Sequence, residues 1–250
     1  MKSHVIVEHP NGEIYYTSDY GARIMDFIVP SPTWSHQTQS IEGRNGVIPL
    51  LSTIEPKPIQ LSLTFFAVDM EDYIEKRDVF NSMFKSFNTF YVSDSKRPGI
   101  RWGVRAEPFT IERQGLRGMV QIDLTVLSGH SESTSLDVKV FTTPTFTFTN
   151  DGNLDINMMD QDETEIEFKG TSTNLIIRNL STGEEWSWTG STIATDTILL
   201  KGVTAKKNSS SIFGLSNRKT VDLIAGENDF SIQGTTGAFT LTIRTRFYYI

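Results

Sequence analysis

Five groups of residues in this 250-residue chain have types and spacings that could do chemistry. Gly129-His130-Ser131-Glu132-Ser133 half-matches the elbow that presents a nucleophilic serine between a strand and a helix. Its last glycine is replaced by Ser133, no helical pattern follows, and His4, His9, His36 and His130 all precede Ser131, whereas that motif needs its histidine after the serine. A linker turn is the better reading. Asp151, Asn153, Asp155 and Asn157, with Asp162 beyond, set oxygen donors at alternate positions as a calcium loop does. Ile156, however, stands where that loop demands glycine. The alternation is also that of a strand, with Leu154, Ile156 and Met158 inward and the Asn and Asp residues in water.

Asp160, Asp162, Glu163, Glu165 and Glu167 could supply the two carboxylates of glycoside hydrolysis. Only alternate members of a strand share a face, so a solvated charge run is favoured. Trp186 and Trp188 are the candidate saccharide contacts, since aromatic faces suit planar ligands, although two tryptophans on one strand face more often form core or rim. Arg97, Arg101 and Arg105 surround Trp102 and could face nucleic acid, but the acidic balance opposes a strong positive field. They read as hairpin arginines that pair with neighbouring acids or with other subunits, where arginine is enriched.

Composition narrows the field further. With 38% hydrophobic and 21% charged residues the chain is too apolar for disorder, and its length allows one large or two modest domains that fold without a cofactor. A net charge of −7 argues against gripping phosphate backbones or anionic lipid. Cysteine is absent, which removes disulfides, thiolate metal sites and thiol catalysis. The first residues lack the apolar core of a signal peptide and no run approaches a membrane span, so synthesis in the cytoplasm without export by that route is expected.

The elements that would position any site are mainly β. Residues 4–8 and 13–16 flank Asn11-Gly12 and predict a hairpin. From Trp34 to about residue 56 the chain is polar, then glycine-bearing, without helical period, which suits an extended arm. Ile59, Leu61, Leu63 and Phe65 alternate with polar residues as a half-buried strand does, and Val120, Ile122, Leu124 and Val126 repeat the pattern. Asp69 should cap a helix over about 70–87 whose core face is Tyr73, Phe80, Met83, Phe84 and Phe87, with Glu71, Asp72 and Glu75 in its first turns. Pro98-Gly99 fits the centre of a type II turn. Residues 131–144 shift to Ser, Thr and small side chains and mark a linker between a domain of 1–130 and one of 145–250. The latter shows many short strand candidates and no amphipathic helix, the signature of a sandwich.

Taken in order, the Gly43-Arg44-Asn45-Gly46 arm, the strand 59–66, the helix with Arg77-Asp78 and the hairpin 91–102 resemble one family. It is the distal tail protein of long, non-contractile-tailed bacteriophages. Residues 1 to about 130 carry the resemblance, and Gly226-Glu227-Asn228 before the last strand is similar to the family's C-terminal module. The resemblance implies a β-sandwich with one packed α-helix, followed by a galectin-like β-sandwich. It also implies a structural, non-enzymatic virion protein: a ring, usually of six subunits, that joins the tail tube to the tail tip or baseplate and its receptor-binding proteins. Its N-terminal domains would line a channel that DNA crosses without specific binding. Ile41, Gly43, Arg44, Asn45, Gly46, Val47 and Ile48 would form the arm that clasps the next subunit, a head-to-tail contact that closes into a ring. No metal, cofactor or membrane insertion is implied. A tail-tube subunit and a cell-wall carbohydrate-binding module are the alternatives.

Overall fold

A computed structural model describes residues 3–160 and 163–250 and divides the chain into two compact units, Met1–Glu132 with Ile250, and Ser133–Tyr249. Asp162, a member of two of the groups above, lies outside the described residues, as do Met1 and Lys2.

The first unit is an antiparallel sheet carrying the one α-helix among the described residues. Its strands are β1 (Val5–Glu8), β2 (Ile14–Tyr16), β3 (Arg23–Ile28), then the separate pair β4 (Trp34–Ser40) and β5 (Val47–Ile54), then β6 (Lys57–Phe66). After the helix α1 (Met70–Met83) come β7 (Phe90–Asp94), β8 (Ile100–Ala106), β9 (Ile111–Gln114) and β10 (Arg117–Val126). The order across the sheet is β2-β1-β7-β8-β10-β6-β3, with β9 on β10. β6 and β10 form its spine, paired from Lys57↔Val126 to Phe66↔Arg117. Ile59, Leu61, Leu63 and Phe65 from one strand, and Val120, Ile122, Leu124 and Val126 from the other, all reach the buried core. Both alternations read from the sequence therefore hold.

α1 starts where expected. The Asp69 side chain accepts the Asp72 N–H at 2.9 Å and supplies the cap, with Glu71 and Asp72 in the first turn. Tyr73, Phe80, Met83 and Phe84 are buried, a gross gain of roughly 6–12 kcal/mol taken as an upper figure. The end differs from expectation. The helix stops at Met83, Phe84 leaves helical angles at φ −103° and ψ 23°, and Phe87 is 94% exposed rather than part of the core face. The cause is a contact with the sheet: the Ser86 hydroxyl oxygen accepts the Ala106 N–H of β8, so the chain departs the helix axis to meet it. Phe84 keeps its burial by packing edge-on against Phe90 and Phe109. In the β1–β2 turn the Gly12 N–H donates to the His9 carbonyl at 2.9 Å with Gly12 at φ +87°, and Gly99 takes φ +98° after Pro98, as a type II turn requires.

Among its described residues the second unit is all β apart from one short 3₁₀ turn. Past the three-residue β11 (Ser131–Ser133) follow β12 (Asp137–Phe141), β13 (Thr145–Asn150), β14 (Glu165–Asn179), β15 (Glu185–Thr192), β16 (Thr197–Lys201), β17 (Thr204–Lys207), β18 (Ser210–Ser211), β19 (Gly226–Thr245) and β20 (Tyr248–Tyr249). Residues 131–144 are thus not a bare linker: β12 pairs with β19 from Asp137↔Thr245 to Phe141↔Leu241. Segments 165–168 and 175–179, two of the short runs of strand-forming residues, are parts of one 15-residue strand broken by a bulge between Thr173 and Leu175, with Asn174 at φ +54°. The early half of β14 pairs with β16 and the late half with β15, while β19 accompanies it throughout and pairs with β13 at its start and β12 at its end. Burial switches from even positions (Ile166, Phe168) to odd ones (Leu175, Ile177) across the β14 bulge, and from Phe230 and Ile232 to Phe239 and Leu241 along β19. Both halves feed one core cluster, the arrangement in which strands change sheets at bulges.

Three buried asparagines hold the loops at one end of this core. The Asn228 amide accepts the Ile224 N–H at 2.9 Å and donates to the Ile224 and Gly226 carbonyls, and Asn179 donates to Asn228 Oδ1 at 2.9 Å and to the Asp222 carbonyl. Asn150 donates to the Leu154 and Ile224 carbonyls. Each replaces a ladder the irregular backbone lacks. Asn228→Ala is expected to lower the stability of the second unit by about 1–3 kcal/mol, because it strands a buried amide and backbone groups together. Chemical denaturation read by a probe in that unit checks this, and an unchanged midpoint would refute the role.

Asp196 accepts the Ile193 N–H at 3.0 Å and an Asn208 Nδ2–H, and pairs with Lys207. These bonds hold its pKa at about 2, against an ordinary 3.8. A depressed carboxylate stabilises the fold while it is ionised in the unfolded chain, and this is lost as pH falls from about 4 toward 2. Asp196→Asn should flatten the fall in the second unit's melting temperature across that window, and an identical acid profile would exclude the contribution.

Candidate assembly site

β4 and β5 pair with each other and, among the described residues, with no other strand. Register runs from Trp34↔Ile54 to Ser40↔Val47 and slips between Gln37 and Thr38, opposite Pro49-Leu50-Leu51, so that Leu50 is the extra residue of a bulge. Pro49 has no N–H to give a ladder, which is why the irregularity sits beside it. His36 Nδ1 lies 2.8 Å from Ser52 Oγ across the pair. At the tip the Arg44 N–H donates to the Ile41 carbonyl, and Gly43 and Gly46 adopt φ of +80° and +82°. The sequence thus bends back through the Gly43-Arg44-Asn45-Gly46 run with glycine at both left-handed positions.

The arm is fixed at its root. The Glu55 N–H donates to the Thr33 carbonyl at 2.9 Å. Gly129, at φ +73°, lies so close that a Cβ there would fall 2.4 Å from Ile54 Cγ2 and 2.5 Å from the Glu55 carbonyl oxygen, so glycine is required on both counts. Lys57, the first residue of β6, is buried beside this root, and burial pushes its pKa down. Beyond the root the arm has no core. Trp34, Ile41, Val47, Leu50 and Leu51 are all exposed, Leu50 to 59%, as are Gly43, Arg44, Asn45 and Gly46, and Ile48 is half-buried. Register places Trp34, Val47 and Pro49 on one face and Ile48 and Leu51 on the other, so both faces present apolar surface.

The other candidates resolve differently. Trp186 and Trp188 are 2% and 7% exposed and belong to the core of the second unit, so neither offers a ring face to a sugar from the surface. Alternation correctly set them on one face; that face points inward. Ser131 and Ser133 are buried, and the Ser133 hydroxyl donates to the Ser135 carbonyl. Burial pushes the His130 pKa down, and its Nδ1 lies 3.4 Å from the Ser131 carbonyl oxygen rather than against a hydroxyl. In the oxygen-donor ladder, Asp155 accepts the Ala225 N–H and Asn157 the Met159 N–H, while Ile156 and Met158 are buried. The segment is not the strand expected, since Ile156 makes a single bridge to Leu223. Glu163 pairs with Arg246, and Glu165 with Lys201 and Arg244. Arg101 is buried, stacks 3.7 Å from the centroid of Tyr91 and pairs with Glu8 and Glu132, which fits a hairpin arginine answered by local acids.

The model of the family described as phage tail protein RIFT-related domain matches residues 11–128, nearly all of the first unit. Over nearly its whole length the chain has the fold of the Dit protein of phage SPP1, described as a paradigm of the hub adsorption apparatus in phages that infect Gram-positive bacteria. The TM-score is 0.74 at 13% identity, covering 97% of this chain and 99% of that one. The resemblance to distal tail proteins thus holds, as does the mainly β reading with one packed helix. Two structures of the phage p2 baseplate in its activated conformation, with Ca and with Sr, match at TM-scores of 0.48 and 0.47. Their identities are 9% and 10%, with 98% and 97% of this chain and 98% of each matched chain covered. No curated protein matches the sequence.

Proposed function

We propose that this chain is the distal tail hub of a long-tailed phage, a structural and non-catalytic virion protein. Copies close head-to-tail into a ring, of six by the family's habit, that joins the tail tube to the tail tip or baseplate and its receptor-binding proteins. The first units surround the DNA path, and the net charge of −7 suits a channel that DNA crosses without adhering. The protein is made in the host cytoplasm and ends in the virion.

One observation carries the reading. The β4–β5 arm holds apolar side chains in water on both faces and, among the described residues, pairs with no other strand of its unit, so a neighbouring copy is what gives it a place. Ile41, Gly43, Arg44, Asn45, Gly46, Val47 and Ile48 form the part that reaches furthest along the chain from its root. Negative-stain images of the purified protein, with its solution mass over a concentration series, test this. Closed rings support the hub, stacked tubes identify a tail-tube subunit instead, and monomers at every concentration with no ring on adding tail-tube protein would refute self-closure.

A further inference from the structure

The second unit contains an open cavity of about 410 Å³, within the range that small-molecule sites occupy. It is walled by the turn before β15, the β16–β17 turn and the strap 213–221, segments far apart in the sequence. Its floor is apolar, with Trp186, Met158 and Leu200 buried there and Phe213 on the strap side. Glu184 also lines it, but its Oε2 is turned into the wall, where it accepts the Asp222 N–H at 2.7 Å.

The charge at the mouth is of the other sign. Arg218 and Lys219 line the cavity, both are exposed, and among the described residues neither makes an ion pair or a side-chain hydrogen bond. Arg178, Lys201 and Lys207 of the same unit are each paired with a carboxylate. The two free cations are also held in place. Asn217 donates its N–H to the Ser187 carbonyl at 3.0 Å and its Nδ2–H to the Glu185 carbonyl at 2.8 Å, which ties the strap to β15. Arg218 itself is kept at φ +60°, a left-handed conformation that costs an arginine free energy, with its N–H donating to Ser216 Oγ.

We propose that this cavity binds a small organic anion, with a carboxylate or phosphate group against Arg218 and Lys219 and an apolar body against Phe213, Met159 and Val203, above the buried floor of Trp186 and Met158. The geometry matches that division: an apolar lining receives the apolar part, while two unpaired cations on a strap tied to β15 receive the charge. The proposal is independent of ring assembly.

The full chain is titrated by ¹⁵N NMR with phenylacetate, phenyl phosphate, benzyl alcohol and inorganic phosphate. Either or both aromatic anions should bind saturably and at least about tenfold more tightly than benzyl alcohol or inorganic phosphate. Shifts should cluster at residues 182–186, 202–205 and 213–221. Arg218→Gln with Lys219→Gln, both at exposed positions, should keep the spectrum of the fold and remove that preference. The two anions compared with each other tell carboxylate from phosphate. Absence of saturable binding by either anion, equal binding of benzyl alcohol or inorganic phosphate, or unchanged anion binding in the double variant would each overturn the site.

Discussion

Replacing residues 35–53 by a short Gly-Ser link is expected to leave two folded units and abolish ring closure. Each of Ile41, Val47, Leu50 and Leu51 gains roughly 1.5–3 kcal/mol when buried, so four of them supply roughly 6–12 kcal/mol gross to each subunit contact. Association itself costs on the order of 4–15 kcal/mol. Removing a term of that size tips the balance toward monomers. The arm contributes no residue to the first unit's core, so melting of both units should stay close to that of the parent. Mass by light scattering and images at matched concentration check the result. Leu50→Asp with Leu51→Asp should weaken assembly in the same direction while retaining the hairpin ladder. Intact rings from the deletion would sink the role assigned to the arm.

Phe80→Ala should cost about 3–5 kcal/mol of the first unit's stability. Its ring is fully buried, stacks on Phe65 with centroids 5.0 Å apart and planes 7° from parallel, and meets Tyr20 edge-on at 6.5 Å. Phe65 belongs to the sheet spine and cannot collapse into the space without disturbing the β6–β10 register, so the cavity persists. Phe87→Ala is the internal comparison. At 94% exposure it should change stability by less than about 0.5 kcal/mol, although the sequence gives the two phenylalanines the same helical face. Urea unfolding of the three proteins separates the two sites, and equal losses would mean that α1 packs differently.

The contrast between these residues shows what the sequence carries and where it stops. Local periodicity sufficed for β6, β10 and the start of α1, because one buried face imposes a repeat and Asp69 caps with its own side chain. The end of α1 depends on a hydroxyl reaching a strand twenty residues later, and no local pattern encodes that. β14 and β19 were legible in pieces, since a bulge shifts the buried positions from even to odd and breaks the alternation that would reveal one strand. For Trp186 and Trp188 the shared face was readable but its direction was not, because that follows from which sheet lies opposite. The arm was visible as a lack of pattern around two glycines. Arg218 and Lys219 gave no signal beyond charge, since their cavity is assembled from three separated turns.

The length of β19 sets an order of events during synthesis. Every strand of the first unit's sheet spine precedes residue 127, so that spine can close while the second unit is still emerging from the ribosome. The second unit has no such freedom. β12, β13 and β14 all pair with β19, across gaps of up to about a hundred residues: the β13 ladder needs the chain as far as Ser231, the β14 ladder as far as Arg244 and the β12 ladder as far as Thr245. Nascent chains should therefore carry a closed β6–β10 spine ahead of a second unit in which β14 has only β15 and β16 as partners until β19 emerges, and the most aggregation-prone interval of biogenesis falls between residues 137 and 245.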